Sequence, residues 1–376
     1  MELKIKKTDF LNLLRWSQGI VEKRGTMPIL SNLLLEGTAS GLKVSATDLE
    51  IALVAEGVAE TKTTGRVVVN ARNLYDIVKE VPEEVIRITK KGDFGIEVAS
   101  GKARFRVIGM NPEEFPALPK VSDKNEIKVD GTEFEDMIEK TFCAASTDET
   151  RYTLNGLFLT KISKGDKVFF RVVATDGHRL SYTERETGSA PGTSTQWNLT
   201  QGIIVPRKGV TEIRNLIAAG EGDLKVAVDE KAILVRKGKI ELTIRLIEGE
   251  FPAYEQVVPK KVEKVVSVDR GLLNGALRRA SIMTSDQARG VKLAFGSGTL
   301  EVSASHPDLG EVSEEIAIDY KGANFQVGFN PKYFLDVLAI LEDEKVVLEL
   351  KDEVSPCVIR SEFDRGFLAL VMPMRI

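Results

Sequence analysis

Six stretches of the chain carry apolar residues at the three- and four-residue spacing of an amphipathic helix. Their apolar stripes begin at Phe10, Leu74, Phe134, Val210, Leu273 and Phe334. Thr8, Thr132 and Asp269 precede three of the stripes and are candidate N-caps, and Glu135 completes a capping box after Thr132. Between the stripes, runs such as 101–110 alternate apolar and polar residues as half-buried strands do. The pattern predicts two helices and about eight strands in each third of the chain.

One plan of helices and strands is repeated three times along the sequence. VSATDLEIAL (44–53) resembles VVATDGHRLSY (172–182) and, more weakly, VSASHPDLGEV (302–312). Equivalent points lie about 125–135 residues apart, a period typical of a domain duplication rather than a solenoid. We place the three copies at 1–123, 124–259 and 260–376. Two helices beside many alternating strands predict the α+β class, with the helices on one side of an antiparallel sheet.

Composition and charge narrow the class of protein. The 376 residues are 43% hydrophobic and 29% charged, which is ordinary for a soluble globular protein. The net charge of −4 argues against binding of nucleic acid by a uniformly basic surface, so any DNA function needs its positive charge gathered on one face. Two cysteines give no disulfide framework, and neither a membrane span nor a signal peptide is recognisable. We expect a cytoplasmic protein without a membrane partner.

The segment VATDGHRL (173–180) is the strongest candidate for chemistry. It holds His178, one of two histidines in the chain, two residues after Asp176. No GxSxG, HExxH, CxxC or phosphate-loop motif accompanies the pair, and two histidines offer little for a zinc site. The first copy carries TDLE where the second has TDGH, so Asp48 and Asp176 are expected to bond the backbone of a turn. Structural and binding roles for His178 both remain open, and we expect no catalysis, cofactor or metal.

Seven motifs then point to one family. They are TMPILSNLLLEG, ATDLE, RYTLNGLF, VATDGHRL, IVPRKGV, EFPAYEQVVP and the terminal VMPMRI. Each is weak alone, but together and in this order they resemble the bacterial DNA polymerase III beta subunits, the sliding clamps, over the whole chain.

The resemblance implies a protomer of three clamp domains. Two protomers would pair head to tail into a closed ring of six modules, with twelve helices around the hole and sheets outside. Two helices per copy, three copies and two chains give the same count of twelve. At roughly 10 Å between neighbouring axes, twelve helices enclose a hole on the order of 30 Å, wide enough for a duplex.

The function implied is that of a processivity factor without enzymatic activity. Its partners would be a second copy of the chain, encircled double-stranded DNA read without sequence preference, the replicative polymerase, the clamp loader and other proteins with a clamp-binding motif. Two competing hypotheses are a hydrolase using Asp176 and His178 and a repeat scaffold or adhesion protein.

A peptide-binding pocket is also implied, built from the second and third copies. The residues that match its motifs are Arg151, Leu154, Thr175, Gly177, His178, Arg179, Leu180, Pro252, Val257, Asn330, Tyr333, Leu370, Met372, Pro373, Met374 and Arg375. Leucine, valine and proline suit an apolar cavity, polar groups at its rim fix orientation, and methionines adapt to varied partners.

Basic residues at helix starts and on polar helix faces are candidates to face the DNA. They are Lys7, Arg15, Arg24, Arg72, Lys79, Arg207, Lys208, Arg214, Arg278, Arg279 and Lys332. The family also places an arginine at the DNA at the position of Arg24. For the dimer joint, the resemblance implies an edge strand, ARFRVI, whose Phe105 and Val107 meet Ile282 and Met283 of the partner.

Overall fold

The structure is a computed structural model that describes residues 1–22, 25–122, 126–187, 199, 201–220, 222–284 and 290–375. These residues form two compact units. The first comprises 1–131 and 211–246, and the second comprises the described parts of 132–195 and 199–210 together with those of 247–375. Arg24 and most of the segment 184–202 lie outside the described residues. None of the helices in the described part of the chain has the length and apolar character that a bilayer span requires.

Six α-helices occur among the described residues, two in each predicted copy. They are α1 (Lys7–Ser17), α2 (Ala71–Glu80), α3 (Gly131–Phe142), α4 (Arg207–Ala218), α5 (Arg270–Ile282) and α6 (Pro331–Ile340). Short 3-10 helices span Pro28–Ser31, Pro112–Glu114, Glu149–Leu154 and Tyr254–Gln256.

The helix starts test the predicted N-caps. Asp269 caps α5, because its carboxylate accepts from the N–H of Leu272 at 2.8 Å, as predicted. The prediction for Thr8 is wrong, since the preceding strand runs directly into α1 and the N-cap is Lys6, without a side-chain bond. Thr132 is not an N-cap either, because α3 begins one residue earlier, at Gly131.

The described residues also form 26 strands. In the first copy they are β1 (Glu2–Lys6), β2 (Asn32–Thr38), β3 (Gly41–Thr47), β4 (Ile51–Gly57), β5 (Glu60–Thr63), β6 (Gly65–Asn70), β7 (Val85–Lys91), β8 (Gly95–Ser100), β9 (Ala103–Val107) and β10 (Gly109–Met110). In the second they are β11 (Ile127–Val129), β12 (Gly156–Lys164), β13 (Lys167–Thr175), β14 (Arg179–Glu186), β15 (Ile203–Pro206), β16 (Leu224–Val228), β17 (Ala232–Lys237) and β18 (Ile240–Arg245). In the third they are β19 (Lys264–Asp269), β20 (Val291–Gly296), β21 (Thr299–His306), β22 (Gly310–Ala317), β23 (Phe325–Phe329), β24 (Lys345–Leu350), β25 (Cys357–Ser361) and β26 (Leu368–Val371).

Antiparallel sheets run across the boundaries between copies. In the first unit, a nine-stranded sheet has the order β10-β6-β2-β3-β4-β18-β17-β16-β11, in which β4 of the first copy pairs with β18 of the second. In the second unit, an eight-stranded sheet has the order β15-β12-β13-β14-β26-β25-β24-β19, in which β14 pairs with β26 of the third copy. A five-stranded sheet, β5-β1-β7-β8-β9, and a four-stranded sheet, β22-β21-β20-β23, complete the two units.

The helices bury their apolar stripes against the sheets, as predicted. Phe10 and Leu14 of α1 and Leu74 of α2 are fully buried in the core of the first unit. In the third copy, Leu273 of α5 and Phe334 of α6 are likewise fully buried. Burial of such side chains stabilises a fold by roughly 1.5–3 kcal/mol each, so the stripes that identify the helices also hold them in place. The α+β class and the three repeated modules are confirmed by the structures that this chain resembles, reported below.

Candidate peptide-binding site

A tight turn joins β13 to β14, and its own side chains fix its backbone. The Thr175 hydroxyl accepts from the N–H of Gly177 at 3.1 Å and donates to the carbonyl of Arg179 at 2.6 Å. Asp176 Oδ1 accepts from the N–H groups of His178 and Arg179 at 2.9 and 3.0 Å. Gly177 has φ +87°, a left-handed conformation that glycine adopts without a steric cost.

The equivalent turn of the first copy repeats three of these hydrogen bonds. Asp48 Oδ1 accepts from the N–H groups of Glu50 and Ile51 at 3.0 and 2.6 Å, and the N–H of Leu49 donates to the Thr47 hydroxyl at 3.0 Å. The predicted turn hydrogen bonds of Asp48 and Asp176 are therefore confirmed. Leu49 replaces the glycine, yet it keeps the left-handed backbone at φ +76°.

Arg179 connects this turn to α6 within the second unit. Its Nε donates to Asp176 Oδ2 at 3.0 Å, and its Nη1 donates to Asp336 Oδ2 at 2.6 Å. Its guanidinium also lies 4.6 Å from the ring centroid of Tyr333, which is a cation–π distance. Only 10% of the Arg179 side chain is exposed. Arg179 therefore positions the wall of the site, and its charge is engaged by the protein itself.

The C-terminal tail is bonded along the same turn. Leu370 pairs with Leu180 in the β14–β26 ladder, and the N–H of Met372 then donates to the His178 carbonyl at 2.9 Å. Two residues later, the N–H of Met374 donates to the Gly328 carbonyl at 2.7 Å, at the end of β23. The tail is thus fixed by its backbone, while 38% of Met374 stays exposed.

A small apolar cluster lies beneath the turn and the tail. Leu180 and Leu370 are buried in it, and Phe251, Tyr254 and Met372 pack against them. The ring of Phe158 stacks on that of Phe251 at 4.7 Å. The segment carrying the predicted residues Pro252 and Val257 is therefore anchored at this cluster, while Pro252 is exposed and Val257 is 45% exposed.

The start of α6 and a 3-10 helix supply further members of the site. Asn330 caps α6 by accepting from the N–H of Lys332 at 3.0 Å, and Tyr333 follows in the first turn. Arg151 Nη1 donates to the carbonyl of Asp176 at 3.1 Å, which joins the Glu149–Leu154 3-10 helix to the turn. Leu154, at the end of that helix, is half-buried. Pro373 is also half-buried, and Arg375 is exposed beyond the tail bonds.

Two kinds of residue at the candidate peptide-binding site were not predicted from the sequence. Asp336, which holds Arg179, is 157 residues away from it and lies on α6 between the apolar residues Leu335 and Val337. The aromatic pair Phe158 and Phe251 was also not predicted, although the motifs RYTLNGLF and EFPAYEQVVP contain the two residues. An aromatic residue beside a motif proline is a usable signal, whereas the aspartate is identifiable only from the structure.

The turn is not arranged for catalysis. The Asp176 carboxylate accepts from two backbone N–H groups and from Arg179, and the exposed His178 uses its backbone to hold the tail. No group of three or more acidic, histidine or cysteine residues within the described ranges could hold a metal ion. The turn 175–180 and the tail 370–375 together form an exposed ridge of backbone and side chains over the apolar cluster. Such a surface suits an extended peptide ligand.

The predicted DNA-facing residues fall into two groups. Arg72 and Lys79 are exposed on α2, Lys208 on α4 and Arg278 on α5, and Arg214 is half-buried on α4. Two others are engaged within the second unit. Arg207 donates to the carbonyls of Phe142 and Ala145 at 3.4 and 3.1 Å, and Arg279 forms a two-point ion pair with Glu314 at 2.6 and 2.7 Å.

The predicted dimer residues are exposed or half-buried on two elements. Phe105 and Val107 lie on β9, which forms one edge of the five-stranded sheet, with 36% of Phe105 exposed. Ile282 ends α5 with 69% of its surface exposed, and Met283 is half-buried beside it. Ile108, just after β9, is 91% exposed and was not among the predicted residues.

The fold is that of a DNA polymerase sliding clamp. The structure of Caulobacter crescentus pol III beta aligns with a TM-score of 0.94 at 33% identity over all of both chains. A sliding clamp from Bartonella birtlesii bound to griselimycin aligns with a TM-score of 0.94 at 30% identity, also over all of both chains.

The sequence matches the same class along its entire length. The N-terminal, central and C-terminal domain families of the DNA polymerase III beta subunit match residues 1–119, 128–253 and 255–375. The beta sliding clamp of Escherichia coli is 32% identical over 379 residues, covering all of both chains. The chain belongs to the DNA polymerase III beta subunit family, whose members are non-catalytic processivity factors.

Proposed function

We propose that two copies of this chain close into a ring that encircles duplex DNA and tethers the replicative polymerase. The ring slides because it holds DNA by topology, and it performs no chemistry. Each protomer contributes three modules, 1–123, 124–259 and 260–376, and one peptide-binding site. The clamp loader and other proteins with a clamp-binding motif are the expected further partners, in the cytoplasm.

The proposal of a closed ring rests on two open sheet edges of opposite charge. In the first unit, β9 is an edge of the five-stranded sheet formed by the described residues and presents Arg104 and Arg106. In the second unit, β22 is an edge of the four-stranded sheet and presents Glu311 and Glu315. Open edges invite pairing with another chain, and complementary charge selects the orientation. Pairing β9 of one copy with β22 of the next covers both edges and joins the chains head to tail.

The charges of the helices support loose contact with DNA. Arg72, Lys79, Lys208 and Arg278 are exposed on helices of all three modules, although the whole chain carries −4. Basic side chains on the helices, in a chain of net negative charge, would concentrate DNA contacts on the helices. Each phosphate contact adds to the salt dependence of binding, so few contacts permit sliding.

The peptide-binding site is proposed at the turn 175–180, the tail 370–375, the first turn of α6 and the segment 251–257. The backbone bond from Met372 to His178 joins the tail to the turn, and the side-chain pair Arg179–Asp336 joins the turn to α6. A fixed ridge above an apolar cluster favours an extended peptide with large apolar side chains, because little ordering is required of the protein.

Retention on circular DNA tests the ring directly. The protein is loaded onto a nicked plasmid by a clamp loader, and the complex is separated by gel filtration in high salt. We expect the protein to remain with the circle and to leave when a restriction enzyme linearises it. Equal retention on both forms would contradict topological binding. No retention on either, from a protein that stays dimeric, would favour the scaffold hypothesis.

A further inference from the structure

A polar cavity of about 480 Å³ lies in the first unit, whereas every residue of the proposed peptide site belongs to the second. The last turns of α1 and the residues after it form one wall, the later part of α4 forms the other, and Ile240 of β18 contributes apolar surface. Its size falls within the range of small-molecule sites, which is roughly 300–1,000 Å³.

A buried carboxylate and an amide are fixed together at this cavity. Glu212 is 6% exposed, and its Oε2 accepts from the side-chain amide of Asn215 at 3.2 Å. Gly19 makes room for it, because a β-carbon at that position would lie 2.6 Å from Glu212 Oε1. The bond to Glu212 therefore holds the Asn215 side-chain amide in one orientation. The same bond fixes the directions of the amide oxygen and of the second N–H.

The opposite wall provides an aromatic surface and a cation. Trp16 is half-buried, and Asn12 and Arg15, one turn apart on α1, are exposed. Tryptophan stacks on the flat face of a nucleobase, and asparagine amides pair with the donors and acceptors of base edges. Arginine binds phosphate with planar, two-point hydrogen bonds.

We propose that this cavity binds a nucleotide, with its base against Trp16, its base edge or sugar hydroxyls at Asn12, Asn215 and Glu212, and its phosphate at Arg15. An organic cation would fit the aromatic ring and the carboxylate, but Arg15 repels it. The same chemistry is presented by a free mononucleotide and by an unpaired nucleotide of a DNA strand. The site is independent of ring closure and of the peptide site.

Fluorescence of Trp16 gives a direct readout, because the chain has only one other tryptophan, Trp197. In a Trp197→Phe background, the full-length protein is titrated with adenosine 5′-monophosphate, with inorganic phosphate, and with a short oligothymidylate. We expect saturable quenching by the mononucleotide or by the oligonucleotide, and none by phosphate. If the mononucleotide saturates the quenching, the cavity binds a free nucleotide. If only the oligonucleotide does so, the ligand is an unpaired nucleotide of a DNA strand.

Variants of exposed residues test the assignment of roles. Asn215→Ala and Asn12→Ala should each weaken binding about fivefold, as expected for the loss of one hydrogen bond. Arg15→Ala should weaken binding of the mononucleotide but not of the unphosphorylated nucleoside. Arg87→Ala, which removes an exposed arginine from β7, is the matched control and should leave the affinity unchanged.

Two results would overturn the proposal. One is the absence of saturable quenching by either ligand up to about 5 mM, beyond the millimolar range of weak specific binding. The other is unchanged affinity in Asn215→Ala and Arg15→Ala proteins whose circular dichroism matches the parent. Retention on circular DNA is unaffected by either result, so failure here leaves the proposed ring standing.

Discussion

Arg179 donates to Asp336 across 2.6 Å, and this ion pair joins the turn after β13 to the helix α6. The two side chains are 10% and 31% exposed, and the arginine also bonds Asp176 and stacks on Tyr333. Arg179, which the sequence suggests as a ligand contact, therefore links the turn to α6 and fixes the distance between these two elements of the proposed peptide site.

Arg179→Ala should weaken both the fold and the site. Loss of one partner from a largely buried ion pair costs on the order of 3 kcal/mol, because the remaining carboxylates lose their compensation. Arg179→Lys should not restore peptide affinity, since an ammonium lacks the planar fork that bonds Asp176 and Asp336 together. Denaturant midpoints and anisotropy of a labelled polymerase-tail peptide measure the two effects. A lysine variant with parental affinity would show that charge alone suffices.

Deletion of Met372–Ile376 should abolish peptide binding without opening the ring. β26 ends at Val371, so its ladder to β14 survives the cut, while the Met372–His178 and Met374–Gly328 bonds are lost. We expect a dimer that is retained on circular DNA but no longer stimulates its polymerase. Equal peptide affinity of the intact and trimmed proteins would end the assignment of the tail to the site.

Asp364 should give the protein a measurable dependence on acid pH. Burial alone would raise the pKa of this carboxyl, but hydrogen bonds from Lys140 at 2.7 Å and Arg185 at 2.9 and 3.0 Å outweigh it and lower the pKa. A lowered folded pKa stabilises the protein above the unfolded value of about 3.9, and this stabilisation is lost as the pH falls through the folded pKa.

Asp364→Asn should therefore lower the free energy of unfolding at pH 7 by about 2 kcal/mol, since two charged hydrogen-bond partners are left behind. The difference between the variant and the parent should shrink below about pH 4. Denaturant titrations at a series of pH values measure it, with the exposed Glu353→Gln as control. A gap between parent and variant that is constant with pH would disprove the role of the ionised carboxylate.

The two left-handed turn residues, Gly177 and Leu49, should differ in how much stability changes on substitution. Gly177→Ala should destabilise by about 1 kcal/mol, because φ is +87° and the added β-carbon lies 3.1 Å from Arg151 Nη1. Leu49→Gly should change stability by less than about 0.5 kcal/mol, since relief of the left-handed strain offsets the extra entropy of the unfolded glycine. Thermal or denaturant midpoints compare the two; a large loss in Leu49→Gly would indicate a contact for the exposed leucine.

The double substitution Ile282→Arg and Met283→Arg should give a folded monomer, because it places charge at an apolar joint.

Reversal of Arg104 and Arg106 to glutamate should also dissociate the dimer, by setting like charges on β9 and β22. Adding Glu311→Arg and Glu315→Arg to that reversal should restore association. Sedimentation at micromolar concentration measures each case. A charge-reversed protein that stays dimeric would exclude pairing of these two edges.

The helices and repeats could be predicted from the sequence because each apolar stripe is local and occurs in every copy. The turn bonds of Asp48 and Asp176 were predictable for the same reason, since two copies carry the same dipeptide. Helix starts were less predictable, because β1 continues into α1 and leaves Thr8 within the first turn. Contacts such as Arg179–Asp336 have no local pattern, as any acidic residue on a polar helix face is an equal candidate.

The joined sheets make the middle repeat inseparable from its neighbours. Five residue pairs bond β18 to β4 in one unit, and four bond β14 to β26 in the other. In a fragment of residues 124–259, β18 and β14 would lose their partner strands β4 and β26 and become unpaired sheet edges. Swapping or excising this single repeat should therefore yield an insoluble product. Mechanical load along the protomer is borne by these hydrogen-bond ladders as well as by the covalent chain. In the proposed ring, these ladders leave the contact between the two protomers as the place where the ring can open.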